Sequence, residues 1–116
     1  MKVVNTITIS VAKDFSSSPG PRYKREGDFS GEQFRNSILE DKVKQCISTN
    51  TKLLIDLDGT AGYGTSFLEE SFGGLIRVCK FDYSIIVKIL TFKSDEEPYL
   101  IEDINAYMED AYNELK

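Results

Sequence analysis

Histidine and tryptophan are absent from this sequence of 116 residues. Without histidine a chain loses the usual general base near neutral pH and the commonest metal ligand, which sharply narrows the enzyme chemistries open to it. Cysteine is scarce. Cys46 and Cys79 are far apart, lie within helical patterns and belong to no CxxC or Cys/His cluster that could hold zinc. They read as reduced core thiols, so a cytoplasmic location is expected. Long apolar runs are missing too: the richest stretch, Ser84 to Phe92, carries Lys88 and is shorter than the roughly 18 residues of a membrane span. The opening MKVVNTITIS alternates instead of forming the continuous apolar stretch of a secretory leader. Positive charge is not in excess either. A net charge of -5 argues against binding dominated by nucleic-acid phosphates. A protein partner is expected, with no nucleic acid, membrane, metal or cofactor.

What is present fits one α/β domain over residues 1–116. Val3, Ile7, Ile9 and Val11 alternate with polar residues, the period of a strand with one buried face. A Ser-, Gly- and Pro-rich loop follows from Asp14 to Gly31, with room for a short strand near Arg22 to Lys24. Ser30 or Asp28 can cap a helix running from about Glu32 toward Cys46, whose apolar stripe slips between Ile38 and Leu39, the mark of a bend or of two helices. KLLIDL (Lys52 to Leu57) is nearly continuous in apolar character, as expected of a central strand covered on both faces. From Thr65 to about Lys80 the period is helical, with Leu68, Phe72, Leu75, Ile76 and Cys79 in one stripe. The β-branched SIIVKILTF (Ser84 to Phe92) reads as a second buried strand. A last helix starts near Pro98, with Leu100, Ile104, Tyr107, Met108, Ala111 and Leu115 opposite Glu102, Asp103, Glu109 and Asp110. Strand and helix alternate, which predicts a sandwich of helices on a mixed or parallel sheet with right-handed crossovers.

Four motifs invite chemistry. IDLDGT (Ile55 to Thr60) matches the DxDGT opening of haloacid-dehalogenase-type phosphatases, whose paired aspartates attack phosphorus and handle the leaving group beside Mg²⁺. The remaining parts of such a site would have to come from Thr91, Lys93 and Asp95 to Glu97, which crowd onto one loop. The plainer expectation is that Asp56, Asp58, Gly59, Gly62 and Gly64 shape a strand-to-helix turn. GTAGYG (Gly59 to Gly64) has the glycine content of a phosphate loop but neither the GxGxxG spacing nor a Walker lysine. Arg22, Lys24 and Arg25 around Tyr23 make a small basic patch beside Glu26 and Asp28, read as a solvated or protein-contacting loop. Glu96, Glu97, Glu102, Asp103, Glu109 and Asp110 would suit an acidic mimic or inhibitor, although acidic residues in a first turn also complement the helix dipole.

Taken together, PGPRYKREGDFSGEQFRNSIL (Pro19 to Leu39) and LLIDLDGTAGYGTSFLEESFGGLIR (Leu53 to Arg77) closely resemble the STAS-like family of unknown function found in bacterial proteins. The resemblance implies a STAS-like sandwich and a non-catalytic regulatory module. STAS domains proper include the anti-sigma-factor antagonists, which bind a GHKL-type serine kinase and are switched off by phosphorylation of a serine at the start of the second helix. By position Thr65 and Ser66 match that site. Gly64 replaces the aspartate usual there, a change that docking by shape and a few polar anchors tolerates better than phosphorylation does. At 100° per residue Ser66, Glu70, Gly73 and Arg77 share a face opposite the apolar stripe. These residues with Thr65 are the expected partner-binding face, exposed to solvent. Ser66 doubles as a candidate helix cap. Gly73 on that face costs about 1 kcal/mol of helix propensity, and close approach of a partner would explain it, so Gly73→Arg is expected to spare the fold and weaken binding.

Overall fold

The computed structural model describes residues 5–115 of the chain. Three strands form a parallel sheet in the order β1-β2-β3: β1 (Thr6–Ser10), β2 (Lys52–Asp56) and β3 (Leu90–Lys93). Among the described residues four longer helices accompany it, besides a single π turn at Val11–Phe15. The first, α1, runs over residues 31–49; α2 over 65–77; α3 is Tyr83–Ile89 and α4 is Tyr99–Glu114. The chain is thus an α/β domain. Val3, assigned to the first strand by its alternation, lies outside the described residues.

Registers Ile7↔Leu53, Ile9↔Ile55, Leu53↔Leu90 and Ile55↔Phe92 align the apolar positions across the sheet. That face is buried under the helices and meets Phe34, Phe72, Leu39 and Ile104 in one core. The opposite face carries Thr6, Thr8, Ser10, Lys52, Leu54, Asp56, Thr91 and Lys93, all exposed or half-buried. The expectation that KLLIDL is covered on both faces is therefore corrected: Leu53, Ile55 and Leu57 point inward, whereas Leu54 is only half-buried beside two threonines.

A larger correction concerns Ser84 to Phe92. Only its last part is strand, because Asp82 caps a helix by accepting from Ser84 N at 3.0 Å and the chain stays helical to Ile89. Ile86 is fully buried and Ile89 half-buried, while Ile85 and Val87 are exposed. One helical side chain in the core and a good cap outweigh β-branched propensity here. The proposed strand near Arg22 to Lys24 is instead a 3₁₀ turn at Lys24–Glu26, where the Glu26 side chain accepts from Tyr23 N at 3.0 Å.

Ser30 caps α1, accepting from Gln33 N at 3.0 Å. The slipped stripe of α1 has a specific cause: Arg35–Leu39 is a wide π segment that turns Phe34 and Leu39 both inward and delays the following apolar positions, Val43 and Cys46. Glu69–Gly73 of α2 is a further π segment. In α2 the stripe Leu68, Phe72, Leu75 and Ile76 is buried as expected, but so are Phe67, Glu70, Ser71, Gly73 and Gly74, since α1 and α4 both pack on it. Cys79 falls beyond the helix end and is half-buried, and both cysteines are free. Leu100, Ile104, Met108 and Ala111 seat α4, while Leu115 stays exposed. No helix among the described residues is long and apolar enough to cross a membrane.

Candidate partner-binding site

The carboxyl ends of the parallel strands feed the loop that leads into α2. Leu57 N donates to Lys93 O at 2.8 Å, continuing the β2–β3 pairing by one bond. Asp56 then accepts the Asp58 amide at 3.0 Å, which bends the chain. Asp58 is the clamp of this end: it accepts from Lys93 Nζ at 2.8 Å and from the Asp95 and Glu96 amides at 3.1 and 3.0 Å. The Lys93 bond, followed by the backbone amides, holds the Asp58 carboxyl down to about 2. Glu96 returns the contact by accepting from Gly59 N at 2.7 Å. Gly59 at φ 89° and Gly62 at φ 132° need glycine's freedom. Gly64, grouped with them from sequence, lies at an ordinary φ of -77° and is instead the cap position of α2. Tyr63 folds inward, donates to Leu57 O at 2.8 Å and is pushed up in pKa by burial.

This geometry decides which sequence candidates are free to act. Both oxygens of Asp58 are engaged in joining two loops, and Thr91 lies on the open sheet face and donates to Leu53 O at 3.3 Å. Among the described residues no group of three or more His, Cys, Asp or Glu side chains is arranged to hold a metal ion.

Thr65 and Ser66 begin α2 and are both exposed. Gly64 caps the helix with no side-chain bond, so the expected cap role of Ser66 is corrected; among the described residues neither hydroxyl is engaged in a hydrogen bond. The first amides of a helix lack intrahelical acceptors, and the backbone at Gly62 and Gly64 leaves open space where side chains would stand. Phe29, missed in the sequence, borders the same corner. It has φ 56°, unusual for a bulky residue, and is 42% exposed. Its amide donates to Gln33 Oε1 at 3.0 Å and its carbonyl accepts from Gly20 N at 2.8 Å. The Phe15 ring sits between, 5.6 Å from Phe29 and 6.2 Å from Phe67, the residue after Ser66. Its signal in the sequence was an aromatic stranded in a polar loop directly before a cap.

The rest of the predicted face does not reach solvent. Glu70 is 3% exposed and pairs through Oε2 with Arg35 Nη1 at 2.6 Å, Arg35 being equally buried. The same nitrogen donates to the Glu70 carbonyl at 2.7 Å, an acceptor that the π segment releases because Gly74 N turns to Phe72 O. Around this pair lies Glu69, bonded by Arg22 and forked by Arg77 at 2.6 and 3.1 Å. Burial pushes the Glu69 carboxyl up, yet its bonds to Arg77 and Arg22 prevail and hold it below the ordinary range. Gly73 is corrected likewise. A Cβ there would stand 2.6 Å from Glu69 Oε2 and 3.4 Å from Tyr107 O, and one at Gly74 would strike the Arg35 guanidinium. Both glycines exist for internal packing. Arg77 alone of the three later residues keeps partial exposure. A helical wheel assumes one neighbour on one side, and α2 has two.

A family model described as a STAS-like domain of unknown function matches residues 30–100 of the chain. No curated protein and no solved structure matches.

Proposed function

The chain belongs to the STAS-like domain family of unknown function, and from that premise we propose that it is a non-catalytic regulatory module that docks on a protein partner through the start of α2. The observation that carries this is the pair Thr65 and Ser66: exposed, free of internal hydrogen bonds, and set at a helix N-terminus beside the open Gly62–Gly64 backbone and the exposed Phe29 ring. Phe29 serves as the apolar anchor that interfaces place near their centre. The polar anchors are Thr65 and Ser66.

The same pair offers a switch. A phosphate on Ser66, or on Thr65, adds close to two negative charges where the helix dipole accommodates them, so folding is spared while a partner's contact surface changes sign. The partner class implied by the likeness to anti-sigma-factor antagonists is a GHKL-type ATPase or serine kinase. Supporting binding over the phosphatase alternative at Asp56 and Asp58 is the use of Asp58 as a loop clamp.

The test is affinity capture with the tagged chain in its native host, followed by titration of the purified partner. Retention of a GHKL-type protein, weakened at least about tenfold, or about 1.4 kcal/mol, by Ser66→Glu and by Phe29→Asn, is expected. Phosphopeptide mapping after incubation with ATP and that partner should find the label on Ser66 or Thr65. Mg²⁺-dependent hydrolysis of phosphate monoesters that disappears in Asp56→Asn would sink the proposal.

A further inference from the structure

β1 is an edge strand, and its backbone bonds fix which side is open. Lys52 N donates to Asn5 O at 3.1 Å, and parallel pairing in the register Thr6↔Lys52 then turns the backbone groups of Asn5, Ile7 and Ile9 toward β2 and those of Thr6, Thr8 and Ser10 away from it. Ser10 N agrees with this parity, donating outward to Asp14 Oδ2 at 2.7 Å. Among the described residues nothing bonds the N–H or C=O of Thr6 or Thr8 on that side, and both residues are exposed. Native edges are usually blunted by Lys, Pro or a bulge. TITIS (Thr6–Ser10) has neither charge nor proline, and its register runs without a break. The other edge of the sheet differs. Leu57 N donates to Lys93 O, so in β3 Leu90 and Phe92 face outward; there Leu90 N is already spent on Ile86 O, and the strand ends in Lys93.

We propose that β1 pairs with β1 of a second copy of this chain, antiparallel about a two-fold axis at Ile7, so that the two parallel sheets join into one. Such an axis sets Thr6 opposite Thr8 of the other copy, and residues opposed in this way exchange both N–H···O=C bonds. Every outward group of Thr6 and Thr8 is thereby met in both copies. Moving the axis to Thr8 would set Thr6 opposite Ser10, whose amide Asp14 already holds, and would leave the Thr6 carbonyl without a donor. The side chains agree with the backbone. Ile7, half-buried at the rim of the core, meets its own copy in a non-hydrogen-bonded pair, the closer of the two kinds, while the threonines pair across the open face. The occupant is a second copy because this donor and acceptor pattern is its own complement under a two-fold, and because an uncharged strand brings no like charges face to face. An antiparallel strand at the edge of an otherwise parallel sheet is common. The pairing uses no residue of α2, so it stands or falls independently of docking at Thr65 and Ser66.

The test is sedimentation equilibrium of the full chain over a dilution series, with amide hydrogen exchange at the same concentrations. A reversible rise from the mass of one chain to that of two is expected, with protection of the Thr6 and Thr8 amides appearing in step with it. Thr6→Lys combined with Thr8→Lys, at exposed positions, opposes like charges in both cross-strand pairs and should weaken the dimer at least about tenfold. Thr6→Lys combined with Thr8→Glu opposes unlike charges in the same pairs and should restore it, and Ser66→Glu should leave it unchanged. A chain that stays monomeric, Thr6 and Thr8 amides that exchange rapidly at every concentration, a dimer indifferent to the double lysine variant, or a lysine and glutamate variant as weak as the double lysine one would each overturn the assignment, as would a strand of a different protein found on β1 of the purified chain.

Discussion

Thr65 and Ser66, at the start of α2, and Glu69 and Glu70, one turn later, are all polar and belong to one short motif. The first two are exposed and make no internal hydrogen bonds among the described residues. Glu69 is held by Arg22 and Arg77, and Glu70 is sealed against Arg35 between two helices. The difference lies in what packs on each turn. α1 and α4 both reach the middle of α2, so a carboxylate there must bring its own counter-charge inside, whereas Thr65 and Ser66 at its start remain exposed. Polar residues on one helix can thus be fold in one turn and available surface in the next.

Removing one member of the buried pair breaks this contrast most severely. Glu70→Ala leaves Arg35 charged and buried without its partner, and should cost about 3–5 kcal/mol in urea unfolding. Arg35→Met with Glu70→Leu should recover most of that loss, because apolar residues of similar volume replace a buried ion pair at little cost. If the double variant is no better than Glu70→Ala, the pair does more than neutralise itself.

The tight glycines come next. Gly31→Ala places a Cβ 2.5 Å from the Phe67 carbonyl, where Ser71 Oγ already bonds both backbones, and Gly74→Ala strikes Arg35. Each should destabilise by about 1–3 kcal/mol. Gly73→Arg, harmless if that face were exposed, should exceed both, with a fall in melting temperature as the readout.

A milder effect is expected at the strand ends. Asp58 has its folded pKa lowered to about 2 from 3.8, so the stability it adds is present above about 4 and is lost as pH falls toward about 2. Asp58→Asn should therefore lower the urea midpoint at neutral pH, and the gap from wild type should close across that window. A gap that stays constant would place the role of Asp58 elsewhere.

The smallest change sharpens the comparison from the other side. Ser66→Ala, one turn from Glu70, should alter stability by no more than about 0.5 kcal/mol, because Gly64 and not Ser66 occupies the cap. A loss near 1 kcal/mol, the value of a working cap, would return Ser66 to the fold.

Local physics made much of this legible. The alternation of β1, the central place of KLLIDL, the Ser30 cap and the inward stripe of α4 follow from period and capping chemistry, which act within a few residues. Ser84 to Phe92 misled because β-branching is a local preference, and burial of Ile86 on the inner side of α3 is not local. The candidate site was legible at Thr65, Ser66 and the Asp56 and Asp58 turn, where a glycine-rich loop meets a helix start. It was illegible at Glu70 and Gly73: the burial of Glu70 depends on Arg35 of α1 and that of Gly73 on α4, neither of which is near in the sequence.

By itself the sequence determined the elements that a residue and its near neighbours can specify, namely an α/β alternation, a strand-to-helix turn built on Asp and Gly, and a hydroxyl pair opening a helix. Tertiary structure alone decided which polar side chains are buried. Arg35 and Glu70 are separated by a whole strand and two loops, and each has an ordinary surface composition around it. They become core only when α1 and α2 cross, because two charges can leave water together at a tolerable cost and neither can leave alone.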